Sequence, residues 1–145
     1  MKRRKAREYA LQFLYRIDFL TDRERAEVMA GQEINAFWLD MGEKDPDIRA
    51  FAEDIIRGAF NNLESIDATL QEVAEKWSLQ RMAHIDRNIM RLAVYELVYR
   101  KDIPTAVTIN EAIEIARKYS ALESAAFING ILDKIARAHN KKSSS

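Results

Sequence analysis

The chain has 145 residues, 23 basic and 23 acidic side chains, four glycines, two prolines and no cysteine. That length holds one domain with a real core, and the shortage of turn residues argues against an all-β fold. The missing cysteine excludes disulfide scaffolds, Cys-ligated zinc and thiol catalysis, and no run of about 18 apolar residues is present to cross a membrane.

The opening stretch, MKRRKAREYALQFLYRIDFL, places Lys2, Arg3, Arg4, Lys5 and Arg7 ahead of an apolar stripe at Ala6, Ala10, Phe13, Leu14 and Ile17. That spacing predicts a first helix. Gln12, Arg16 and Asp18 interrupt the apolar segment and no small-residue cleavage site follows, so it is not read as a signal peptide; Glu8 and Asp18 argue against an organellar presequence. Cytoplasmic location is the expectation. Residues 1–17 carry six basic side chains against one acidic, residues 22–75 five against fourteen, and residues 76–145 twelve against seven. An acidic middle repels nucleic acid, so any anion-binding face is confined. Cations at a helix N-terminus oppose the macrodipole. The basic cluster therefore points to a bound polyanion, RNA or DNA, with a solvated helix start as the plain alternative.

A second, weaker helix is expected from about Glu24 to Asp40, with Val28, Ile34, Phe37 and Trp38 apolar. Gly42 can end it and Pro46 can open the next. A third helix carries Phe51, Ile55, Ile56, Ala59 and Phe60. After a break at Asn61 and Asn62, a fourth carries Ile66, Leu70, Val73 and Trp77. The fifth, from about Ile85 to Arg100, is apolar on most sides and is expected to be the buried centre of the C-terminal half. Pro104 interrupts the pattern. Thr108 with Glu111, and Ser120 with Glu123, then have the spacing of capping boxes. The last two helices bring Ile109, Ala112, Ile113 and Ala116, then Phe127, Ile128, Ile131, Leu132 and Ile135. Residues 1–140 are read as one all-α domain, and residues 141–145 as a frayed polar tail.

Chemistry-bearing patterns are few. His84 and His139 have no partner at metal-ligand spacing and are read as surface or capping residues. Asp86 and Glu96 are ten residues apart, about 15 Å along a helix, too far for a paired acid and base. The four glycines, at 31, 42, 58 and 130, form no phosphate loop. No catalytic residue, cofactor or metal is expected. Gly130, inside a helix, is read as a close helix–helix contact, or else as a surface that a partner's backbone approaches. Phe127 and Tyr15 are each either core or a ring for base stacking.

Four blocks carry a resemblance: RRKARE with ALQFLY, DRNIMRLAVYEL at 86–97, IPTAVTINEAIEIARKY at 103–119 and ESAAFINGILDKIAR at 123–137. In content and order they resemble the NusB family of transcription antitermination factors. The resemblance implies about seven helices in two packed sub-bundles and a role without catalysis. It implies pairing with NusE, a small-subunit ribosomal protein, on the single-stranded boxA element of nascent ribosomal RNA. It also implies a complex with NusA, NusG and RNA polymerase that favours read-through. By position, Arg3, Arg4, Lys5 and Arg7 match the family's arginine-rich RNA-binding start. Tyr15 and Phe127 match aromatics of its RNA face, and Asp86 an acidic position near the RNA and partner surface.

Three positions depart from the family pattern. Ala126 stands where a basic or polar residue is frequent, Ser120 where glycine is frequent, and Glu123 keeps a negative charge near the RNA face. Ribosomal RNA cytosine methyltransferases share the module, but their chemistry needs a cysteine and a cofactor domain absent from this sequence. The remaining readings are a helical protein-binding scaffold and a ribosomal RNA assembly helper. A homodimer is compatible with the family.

Overall fold

The computed structural model describes residues 1–74 and 79–144. Within them lie eight α-helices: α1 (Lys2–Ile17), α2 (Asp22–Ala30), α3 (Glu33–Met41), α4 (Pro46–Asn61), α5 (Leu63–Ala74), α6 (His84–Tyr99), α7 (Thr105–Tyr119) and α8 (Leu122–Ser144), with a 3₁₀ turn at Leu79–Arg81 before α6. The described residues contain no strand, and none of their helices is long and apolar enough to cross a membrane. Trp77 lies outside them.

The predicted helix over 24–40 is two helices. A capping box that sequence reading passed over starts α2: Thr21 Oγ1 accepts the Glu24 N–H, and the Glu24 carboxylate accepts the Thr21 N–H. Gly31, in extended backbone, ends α2 before α3 begins. Gly42 ends α3 in the left-handed region at φ 68°, where a side chain would be strained. Asp45 then caps α4 by accepting the Asp47 N–H, with Pro46 as the first helical residue.

Helices α1–α4 gather on one side and α5–α8 on the other, with α6 packed against α1, α4, α5, α7 and α8. Ala6 and Ala10 let α1 lie close on α4. Phe13 and Tyr9 reach α3 edge-on, the rings of Phe13 and Phe37 at 5.4 Å and those of Tyr9 and Trp38 at 5.3 Å. The expectation of a central, all-round buried helix holds: α6 is buried without interruption from Asp86 to Glu96.

Neither capping box expected in the C-terminal half forms. α7 starts at Thr105, one turn early, with Pro104 as its N-cap. Thr108 is therefore inside the helix, and its hydroxyl donates to buried Glu96 instead of capping. The Ser120 hydroxyl donates to Asp86.

The close-contact reading of Gly130 is also corrected. It is exposed, and a Cβ added there would meet nothing within 4 Å. The tight crossing is at Gly58 on α4, where a Cβ would overlap the Tyr95 ring of α6. Tyr95 is stacked on Tyr99, its hydroxyl within hydrogen-bonding range of Asp54, so it has little room to move. Gly58→Ala is expected to lower the unfolding free energy by about 1–3 kcal/mol through overpacking. Gly130→Ala is expected to raise it by about 0.5–1 kcal/mol through helix propensity. Urea denaturation of the two variants checks both signs.

Candidate nucleic-acid interface

α1 and α6 run antiparallel, joined at both ends by charge. At one end Arg7, buried, places its fork on the Glu96 carboxylate at 2.7 and 2.9 Å, and Thr108 Oγ1 donates to the same carboxylate at 2.9 Å. Arg7 therefore departs from the expectation for the basic cluster. Its guanidinium is consumed inside the protein and ties α1, α6 and α7 together, so it is unavailable to a ligand.

At the other end Asp18, which closes α1, collects four donors or partners from the start of α6. His84 Nδ1 lies 2.7 Å from Oδ2, Arg87 donates to Oδ2 at 2.6 and 3.2 Å, Asn88 donates at 3.0 Å, and Arg91 donates to Oδ1 at 3.1 Å. Arg91 also forks onto Asp67 of α5 at 2.8 Å twice. Burial pushes the Asp18 carboxyl up, but the hydrogen bonds from Arg87 and His84 and the charge of Arg91 outweigh it. They hold Asp18 well below the usual carboxylate range.

Two residues beyond His84, Asp86 accepts from Ser120 at 2.5 Å and from Ser124 at 2.8 Å. Its charge suits the first turn of α6. Expected as a partner contact, Asp86 is buried with both oxygens engaged; its visible work is to set the turn from α7 into α8. Just past that turn α8 carries Glu123, exposed, and Phe127, half-buried against the core. The first turn of α6 thus brings together two regions far apart in sequence: the end of α1 through Asp18, and the start of α8 through Asp86.

Three of the remaining N-terminal cations meet carboxylates of the same chain. Lys2 Nζ is 3.2 Å from Asp45 and 3.1 Å from Asp47, Lys5 Nζ is 3.0 Å from Glu43, and Arg4 forks onto Glu111 of α7 at 2.6 and 3.2 Å. The hydrogen bonds that Lys2 donates to Asp47 and Lys5 to Glu43 raise the two amines. Arg3, exposed, lies over the Phe51 ring at 4.8 Å. The macrodipole conflict that pointed to a missing polyanion is thus answered within the protein, largely by the short acidic loop before α4. The Lys2 and Arg4 pairs sit at or near the surface, where an ion pair contributes about 0–1 kcal/mol. Glu43 is buried but also accepts from the Tyr9 hydroxyl and the Asp45 N–H, so it keeps partners when Lys5 turns to a phosphate.

Between α1 and α7 runs a groove of about 360 Å³ lined by Arg4, Glu8, Glu114, Ile115, Arg117 and Lys118. Lys118 and Tyr119 both reach Glu8, at 2.7 and 2.9 Å. Further along α1, Tyr15 is exposed, its ring 5.2 Å from that of exposed Phe19. Phe19 in turn lies 4.1 Å from the His84 ring. Sequence reading found Tyr15 but passed over Phe19, which stands four residues on, in the turn just past the end of α1. His84 gave no sequence signal, because Asp18, which holds it, is 66 residues distant.

Along its length α1 therefore carries cations at its start, a charged groove beside its middle and aromatic rings at its end. The NusB family model matches residues 4–137, which takes in these features from Arg4 to Phe127. The chain belongs to the NusB family.

NusB-family proteins are transcription antitermination factors, not enzymes. The chain is 50% identical, over 97% of each sequence, to the transcription antitermination protein NusB of Thermodesulfovibrio yellowstonii. It is similar to the solved T. maritima NusB at 38% identity and TM-score 0.77, covering 93% of this chain and 90% of that one. A chain from a crystal structure of antitermination factors NusB and NusE in complex with dsRNA has the same fold, at 24% identity and TM-score 0.78, covering 94% and 97%.

Asp18→Asn is expected to cost about 3 kcal/mol at neutral pH, because it leaves buried guanidinium charge uncompensated. A carboxylate held low stabilises the fold above its unfolded pKa of about 3.9, and that stability is lost as the pH falls through the lower folded value. The gap between wild type and Asp18→Asn in chemical denaturation should therefore be full above about pH 5 and close towards strongly acidic pH. A gap independent of pH would remove Asp18 as the charged centre of this junction.

Proposed function

We propose that this chain, paired with NusE, holds single-stranded boxA RNA of nascent ribosomal RNA transcripts. In a complex with NusA, NusG and RNA polymerase it then promotes read-through. The observation that carries the reading is the run of features along α1: cations at its start, the groove between α1 and α7, and exposed rings at its far end. Family membership and the antitermination proteins it resembles support it. Arg3, Arg4 and Lys5 contact phosphate, Arg4 and Lys5 exchanging their internal carboxylates for it, while Tyr15 and Phe127 meet bases. Arg7 and Asp86 act from beneath the surface by fixing α1 and α8 on α6. A homodimer would cover part of the same face and act as a store, and sedimentation with and without RNA reports whether it exists and whether RNA dissolves it.

Fluorescence anisotropy with a boxA oligonucleotide, with and without NusE, tests the reading; absence of RNA binding in both would favour a protein-binding scaffold. Replacing Arg3, Arg4 and Lys5 together by Gln is expected to weaken binding. It should also flatten the slope of log affinity against log salt by about 2, at roughly 0.7 per phosphate contact on a single strand. An unchanged slope would place the phosphate contacts elsewhere.

Glu123 keeps a negative charge at the start of α8, exposed beside the turn held by Asp86. Glu123→Gln is expected to tighten boxA binding a few-fold at fixed low salt by removing repulsion of phosphate. Equal affinity in the two proteins would mean that no phosphate comes near it.

A further inference from the structure

Phe19 is 58% exposed in the segment between α1 and α2. Exposed phenylalanines are usually free to move, but this one is fixed on both sides. Arg25 donates to the Leu20 carbonyl at 2.7 Å and lies 3.5 Å from the Asp18 carbonyl, bracketing Phe19 in the backbone. The ring rests on His84 at 4.1 Å with a tilt of 33°. His84 is itself set by Asp18, and Tyr15 closes the cluster edge-on. The three rings thus form a pre-set aromatic surface that buries little of its own area.

We infer that the Phe19–His84 stack, edged by Tyr15, is a platform for one unpaired base of a single-stranded RNA. This rests on the RNA reading above and adds two residues, Phe19 and His84, to it. Size speaks against a protein partner. With Tyr15 39% exposed, Phe19 58% and the His84 side chain 36%, the rings offer about 250 Å² if each presents roughly 200 Å² in full. A stable protein interface needs about 800 Å² on each side, whereas one base needs only a π-face. Charge and position favour RNA as well. Arg4, Glu8, Gln12 and Tyr15 follow one another at helical spacing along α1, and Phe19 lies against Tyr15 just past the helix end. The stripe leads from the Arg4 cation, past Lys118 and Tyr119 at Glu8, to Tyr15 at the edge of the platform, about 16 Å away at 1.5 Å per residue. A strand lying on the cations is carried onto the rings within the 4–16 nucleotides that a single-strand groove typically tracks. The bracing of the segment matters because a surface ordered beforehand loses less entropy when a base arrives.

The test uses the full chain with NusE and a boxA single-stranded RNA carrying 2-aminopurine at one position at a time. Phe19→Leu removes an exposed ring and should leave the melting curve unchanged. It is expected to weaken RNA binding about tenfold, with the same salt slope as wild type, since stacking releases no counterions. Quenching of 2-aminopurine at one position should be lost while the others keep theirs. His84→Gln, which keeps a polar group towards Asp18 but no ring, should show the same pattern more weakly. Wild-type binding with Phe19→Leu within twofold of it, or with quenching retained at every position, overturns the platform and leaves the RNA reading standing. Failure of the wild-type chain to bind the RNA, with or without NusE, overturns both.

Discussion

A helix buried on every side must bring partners for its own polar groups, and that constraint organises this molecule. Over its buried span α6 holds Asp86, Arg87, Asn88, Arg91 and Glu96. Each is answered from another helix or the turn beside it: Glu96 by Arg7 and Thr108, Arg87 and Asn88 by Asp18, Arg91 by Asp18 and Asp67, Asp86 by Ser120 and Ser124. Among the described residues no buried side-chain polar atom lacks a partner. Apolar packing alone would let neighbouring helices slide; paired charges admit one register. Leaving one such group unpaired costs several kcal/mol, so these contacts set where α1, α5, α7 and α8 meet α6.

The surface follows from that register. Because Asp18 is drawn to the first turn of α6, the rings beside it on α1 come against His84. Because Asp86 is drawn to two serines, the start of α8 is set beside the same turn. The face read as RNA-binding is therefore an outer consequence of inner electrostatics. The same bookkeeping sorts the N-terminal cations. Arg7 points inward and is structural, whereas Arg3, Arg4 and Lys5 stay at the surface. There the chain's own acids hold two of these cations, Arg4 and Lys5, until a stronger polyanion competes.

Helix class and core were legible because burial leaves a 3.6-residue period. Ala6, Ala10, Phe13, Leu14 and Ile17 are buried as their spacing predicts, and so is the long apolar span of α6. Stops with a strong backbone cause were legible too, Gly42 and Pro46 above all. Local capping signals were less dependable. Thr21 with Glu24 forms its box, yet Thr108 with Glu111 has the same spacing and does not, because α7 starts at Thr105 and leaves Thr108 inside the helix. Gly58 and Gly130 show the same gap: both lie inside helices, and only the position of Tyr95, 37 residues from Gly58, makes one of them indispensable.

The sequence by itself determined the all-helical class, the segments that form the core, the basic start of α1 and the blocks that mark the NusB family. These are matters of local period, composition and order. Only the tertiary structure decided which cations remain at the surface, that Asp18 and Asp86 face inward, and that Phe19 and His84 form one surface. Those outcomes depend on pairings across 34 to 89 residues. A charge has no direction until the fold has placed its counter-charge.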